Sequence, residues 1–143
     1  MTADNRLLGF VARLCLVLIF PFSALDKIFN HASAIAQAKT GWMPLPDSAA
    51  EILLVLGGML EVIGPLCILL GFYRRQAALL FIFYVVVTAV LFHNFWSFPF
   101  NSEPWTENFW PFLKNLGLAG GFLYIAADAR MQSLREAFSL KAR

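Results

Sequence analysis

Residues 52–72 read ILLVLGGMLEVIGPLCILLGF, an apolar run carrying a single charge, Glu61. About 20 such residues are needed to cross the ~30 Å hydrocarbon core of a bilayer. A helix that is hydrophobic all round must be covered on every side, and a chain of 143 residues has too little protein to surround one in water. The run is therefore expected to face lipid.

Three further apolar stretches of comparable length follow the same logic, at residues 7–25, 76–93 and 109–127. Together the four predict an all-α integral membrane protein, a four-helix transmembrane bundle forming one domain over residues 1–143. Composition agrees: 59% of residues are hydrophobic, 14% are charged and the mean hydropathy is +0.68. Soluble domains carry about 25% charged residues. The first stretch differs from a cleavable leader because Arg13 interrupts it and no small-x-small cleavage site follows, so it is read as a retained span.

Lysines and arginines set the expected orientation, because positive residues stay on the cytoplasmic side of short loops. Arg6, Arg74, Arg75, Arg130, Arg135, Lys141 and Arg143 flank the spans on one side, whereas only Lys27 and Lys39 lie on the other. Seven against two predicts both termini in the cytoplasm. Trp42, Trp96, Trp105 and Trp110 all fall in or beside the first and third loops, where an outer interfacial belt belongs. In the first loop, the alanine-rich stretch 31–38 predicts a short helix before a Gly41-Trp42-Met43-Pro44 turn. The third loop, with Pro99 and Pro104 among aromatics, predicts an ordered irregular cap. Met131, Leu134 and Phe138 recur at i, i+3 and i+7 among basic residues, which predicts an amphipathic tail over 128–143.

Several functions lack their residues. The formal charge of +2 and the absence of a basic run leave no nucleic-acid partner. Cys15 and Cys67 lie inside separate apolar runs with no Cys-x-x-Cys spacing, and read as small packing residues. His31 and His93 are too far apart in sequence for a local ligand spacing, so no metal is expected. There is no phosphate-binding glycine loop, no Gly-x-Ser-x-Gly elbow and no His-Glu-x-x-His helix.

The remaining chemistry lies in charges within the apolar runs, which are costly and must face the bundle interior or a wet cavity. Arg6, Arg13, Phe20 and Lys27 are spaced by sevens along one drifting stripe of the first span. Gly57, Glu61, Gly64 and Gly71 share a stripe of the second, and Lys114, Gly117 and Gly121 a face of the fourth. Counting from the span ends places Glu61 near mid-membrane, Lys114 above it and Arg13 towards the inner half, so Glu61 is expected to pair with Arg13, Lys114 or both. With Lys27 and His93 near the outer rim, these residues form a polar line. The line reads either as a neutral network that fixes helix packing or as a cavity for a polar headgroup or redox ligand.

The segments RLCLVLIFPFSALDK (13–27), GGMLEVIGPLCILLG (57–71), the following RR, His93 at the end of the third span and KNLGLAGG from Lys114 together resemble the DoxX family of small bacterial membrane proteins. The resemblance implies a four-helix bundle in a bacterial inner membrane and a loose link to membrane redox chemistry. It matches Arg13, Lys27, Glu61, His93 and Lys114 to the family's polar positions, which makes them the candidate ligand-binding residues. It implies at most an accessory oxidoreductase subunit, with a non-covalently held quinone as the cofactor to consider and membrane lipid, further copies of the chain or a redox subunit as partners. Two other functions fit the same residues: a non-enzymatic lipid- or solute-binding or assembly protein, and a small proton-coupled transporter using Glu61.

Overall fold

A computed structural model describes residues 3–40 and 45–141, with side chains for 6–39 and 45–131. The described residues are helical apart from short connections: α1 (Ala3–Val17), α2 (Ile19–Phe29), α3 (His31–Thr40), α4 (Asp47–Leu70), α5 (Arg74–Phe92), a 3-10 turn (Phe95–Ser97) and α6 (Glu103–Lys141). Among the described residues, three stretches are long and apolar enough to cross a membrane: Arg6–Phe29, which joins α1 to α2, Asp47–Leu70 and Arg74–Ser97. The expected stretch at 109–127 lies within α6, where Lys114 and Asn115 interrupt the apolar run and keep the helix out of that group.

Local chemistry explains the boundaries. Pro21 lacks the N–H that would bond the Val17 carbonyl, and the first span accordingly breaks between α1 and α2 at Leu18. Gly71 ends α4 at φ 89°, the left-handed conformation that glycine adopts without a Cβ clash, and its N–H bonds the Cys67 carbonyl. Arg74 folds back over this turn, and its Nε donates to the Ile68 carbonyl at 3.3 Å. It thereby satisfies one of the last carbonyls of α4. At the other end, α3 forms as expected and is tied to α4 by Lys39–Asp47 (2.6 Å) and His31–Glu51 (3.2 Å), both exposed. The Gly41–Pro44 turn lies outside the described residues.

The core is built in layers, one helical turn apart, because the α1–α2 span, α4, α5 and α6 each contribute a residue every three or four positions. Its waist is aromatic. Phe81 stacks on Phe122 with centroids 4.7 Å apart, and Phe20 closes the triangle at 4.3 Å from Phe81 and 5.6 Å from Phe122. Gly64 provides the fourth side: a Cβ there would lie 2.5 Å from the Phe81 ring. The layer below holds Val17, Ile68, Ala78 and Ile125, all buried.

Two details depart from the sequence reading. Gly121 is tucked under Leu16, but a Cβ on Gly117 would meet nothing within 4 Å, so the face expected through Lys114, Gly117 and Gly121 packs only at its lower end. Cys67 packs against the core whereas Cys15 is exposed; both are free thiols. The third loop is ordered as its composition implies, but it is irregular only as far as Ser102; from Glu103 the chain is helical, with Pro104 in the first turn of α6. Phe95 makes edge contacts with Trp96, Trp105, Phe109 and Phe112. The helix of α6 runs on without a break to Lys141, so the tail is continuous with it; the side chains of Leu134 and Phe138 lie outside the described residues.

Candidate functional site

One turn above the aromatic waist, the same helices present polar residues: Ser23 from α2, Glu61 from α4 and Tyr84 from α5, with Lys27 a further turn along α2. Glu61 is the only buried charged residue among the described residues, 2% exposed, and its carboxylate is heavily bonded. Lys27 Nζ donates to Oε1 at 2.8 Å and to Oε2 at 2.7 Å, Ser23 Oγ donates to Oε1 at 3.0 Å, and Tyr84 Oη donates to Oε1 at 2.7 Å. Lys27 also donates to Ser23 Oγ at 2.7 Å. All three ammonium protons of Lys27 therefore have acceptors.

Helix direction explains why Lys27 reaches a residue expected to lie deeper. The start of α4 and the end of α2 lie at the same end of the bundle, so the two helices are antiparallel. Side chains tilt towards the N-terminus of their own helix. Lys27 thus leans down from α2 while Glu61 leans up from α4, and the carboxylate meets the ammonium. Two local features complete the arrangement. Gly57, one turn from Glu61, leaves space for the Tyr84 ring: a Cβ there would sit 3.3 Å from Oη. Pro65 removes the N–H that would otherwise bond the Glu61 carbonyl, loosening α4 beside the site.

The expected partners of Glu61 are corrected. Arg13 lies on the same stripe as Lys27, but fourteen residues of helix separate them, about 21 Å of axial rise. Its electrostatic neighbours are Arg74 and Asp128, at the opposite end of the bundle. Lys114 is exposed on α6. Of the five candidates, Lys27, Glu61 and His93 line one cavity, while Arg13 and Lys114 do not reach it. Ser23 and Tyr84 were missed. Ser23 is four residues before Lys27, and Tyr84 shares a stripe with Thr88 in an otherwise apolar span. A search for uncharged polar residues at i, i+4 within the spans would have found both.

The cavity has a volume of about 330 Å³. Its base is the Lys27–Glu61 pair and Phe20, its walls include Leu54, Val85 and Leu118, and His93 and Asn115 lie along it. Asn115 donates one amide N–H to the Pro111 carbonyl at 3.1 Å. An amide has two N–H groups and an accepting oxygen, so Asn115 retains capacity for an occupant. Among the described residues, no three His, Cys, Asp or Glu side chains cluster as a metal site would require.

Apolar helices, an ion pair drawn into their interior and a small cavity above an aromatic floor define an integral membrane protein with an internal polar site. The chain belongs to the DoxX family, whose profile matches residues 8–94. It is 36% identical over 125 residues to inner membrane protein YphA of Escherichia coli strain K12, covering 87% of this chain and 84% of that one. It is 32% identical over 116 residues to inner membrane protein YqjF of the same organism, covering 81% and 79%. No solved structure matches the chain.

Proposed function

We propose that this chain is a multi-pass protein of a bacterial inner membrane, crossing four times with both ends cytoplasmic, and that its cavity receives the uncharged headgroup of a membrane amphiphile. The relatives, both named inner membrane proteins, support the membrane, and the Lys/Arg imbalance supports the orientation. The occupant favoured is a quinone ring, with the chain acting as the membrane subunit of an oxidoreductase whose electrons come from a partner protein. One observation carries this reading: the charged base of the cavity is internally neutralised. Lys27 and Glu61 cancel; Ser23 Oγ and both Glu61 oxygens occupy the ammonium fully, and Tyr84 and Ser23 donate to the carboxylate.

An anionic solute would find no counter-charge at that base and would meet the Asp26 carboxylate elsewhere in the lining, whereas a neutral ring with two carbonyl acceptors needs only apolar walls and a few donors. Asn115 is such a donor, and His93 at the mouth is another in its neutral or protonated form. A volume of about 330 Å³ is at the small end of ligand pockets, which run roughly 300–1,000 Å³. That suits a headgroup whose tail lies outside among lipid.

The test is native mass spectrometry of the chain extracted from quinone-containing membranes, followed by titration with a short-chain ubiquinone analogue. One quinone per chain, displaced by the analogue and lost in Asn115→Leu, is expected. A phospholipid in the cavity with no quinone affinity would replace this reading with the lipid-binding one.

A further inference from the structure

The first span, α4, α5 and α6 stand at the corners of a square. The first span packs on α4, α4 on α5 and α5 on α6. The fourth side, between α6 and the first span, is closed only in its lower half. There α1 packs on α6, and Gly121 lies under Leu16, whose Cδ1 is 2.8 Å from where a Cβ would stand. Higher up, no Cα of α2 comes within 8 Å of a Cα of α6. Packed helices have axes about 8–10 Å apart and Cα atoms ~2.3 Å from each axis, so their backbones approach much closer than that. At the waist the rings of Phe20 and Phe122 bridge the gap, with centroids 5.6 Å apart. Above the waist, no hydrogen bond or ion pair joins α2 to α6 among the described residues.

Both edges of this seam are also walls of the cavity. Ile19, Ser23, Asp26 and Asn30, spaced by four, three and four, form one edge of α2 and line the cavity, yet Ile19, Asp26 and Asn30 are exposed. No helix covers that edge. On α6, Gly117 and Lys114 continue upward from Gly121 along the edge that meets the first span; both are exposed, and a Cβ on Gly117 would meet nothing within 4 Å. Beside them, Asn115 and Leu118 line the cavity. Over the top, α3 roofs the cavity from α2 across to α4 and α5 and does not reach α6. The cavity therefore opens sideways between α2 and α6.

We infer that this seam is where the apolar tail of the cavity's occupant leaves the bundle, passing between Ile19 on α2 and Gly117 and Leu118 on α6. The inference rests on the reading of the cavity as a site for the headgroup of a membrane amphiphile. Space for a headgroup alone obliges an attached chain to cross the wall, and here the wall has no helix packed on helix. Gly117 supplies the room, because any side chain there would project into the passage. Lipid tails are as apolar as the seam, so it provides a route and adds little affinity. A headgroup can also enter by it directly from the leaflet.

The experiment uses the full chain in phosphatidylcholine nanodiscs with three probes: a benzoquinone bearing a decyl chain, the same ring without the chain, and a monoacylglycerol of equal chain length. Both chain-bearing probes are also made with a mid-chain diazirine for photo-cross-linking. In wild type, cross-links are expected to concentrate around Ile19 and Gly117 ahead of Val55 and Leu80, exposed positions on α4 and α5. Gly117→Trp and Ile19→Trp are each expected to weaken decylquinone binding at least tenfold while the tailless ring binds within twofold of wild type. Gly58→Trp, at an open position on α4, should bind both as wild type does. Thermal midpoints near that of wild type establish that the tryptophan variants fold, and either one suffices for the comparison. If the tailless ring does not bind wild type, the quinone reading alone fails, and the monoacylglycerol cross-links decide the seam. Cross-links from both chains spread evenly over the lipid-facing helices, or decylquinone binding unchanged in both seam variants, overturn the inference. So does chain-to-chain cross-linking by benzoylphenylalanine in place of Gly117, which would put a second copy in the seam.

Discussion

Replacing Lys27 by methionine leaves the Glu61 carboxylate, its side chain 3% exposed, with two hydroxyl donors and no counter-charge. Glu61→Gln makes the reverse error and strands an ammonium whose side chain is 23% exposed. Breaking a fully buried pair from one side costs about 3–5 kcal/mol. The partial exposure of Lys27 and the hydroxyls of Ser23 and Tyr84 reduce this, and ~2–3 kcal/mol is expected for each single variant. The double variant carries neither charge. Its glutamine carbonyl still accepts from Ser23 and Tyr84, so its loss should resemble that of one single variant, a coupling of ~2 kcal/mol. The assay is reversible unfolding in mixed micelles with increasing sodium dodecyl sulfate, followed by helical circular dichroism. Losses that add to within ~0.5 kcal/mol would show that the pair does not hold the bundle. Arg13→Gln serves as the internal reference: about 21 Å of helix separates it from Lys27, and its combination with Glu61→Gln should be additive.

Other outcomes follow from the same geometry. Gly64→Leu drives a side chain into Phe81 and should cost ~1–3 kcal/mol in the same assay, Gly57→Leu should displace Tyr84 with a comparable loss, and Gly58→Leu, facing open space, should be tolerated. Equal tolerance at all three positions would mean that α4 packs by another face. Tyr84→Phe deletes a charge-assisted hydrogen bond to Glu61 and should cost ~1.5–3 kcal/mol; an unchanged unfolding midpoint would remove Tyr84 from the network. In a background lacking Cys15 and Cys67, cysteines at Ser48 and Ser102 should react with an impermeant reagent in intact cells and one at Gln76 should not. The reverse pattern would invert the proposed orientation.

The helices were legible because lipid exposure leaves a blunt record: long apolar runs, glycines at i, i+4 and i+7, and prolines where a helix bends. Glu61 was legible as the buried charge for the same reason. Its partner was not, because linear counting gives the height of a Cα and says nothing of which way the side chain leans. Lys27 looked too shallow and Arg13 near enough, until antiparallel tilt brought Lys27 down and the fold-back over Gly9 took Arg13 away. Ser23 and Tyr84 were overlooked because they carry no charge to attract attention. Lys114 shows the opposite error. A cation beside glycines suggested a packed face, yet stripe periodicity identifies residues that share a face without saying whether another helix covers it.

The layer of Phe20, Phe81 and Phe122 also bears on permeation. Phe81 and Phe122 are fully buried and Phe20 nearly so, with Gly64 letting α4 close against the rings. This layer is a septum of packed rings between the polar cavity above and the end of the bundle below. A leak through the bundle would require Phe81 to leave its stacked position and α4 to withdraw from it. An occupant of the cavity would therefore enter and leave by the same mouth or sideways between helices, and membranes containing the chain are expected to hold a proton gradient as tightly as membranes without it.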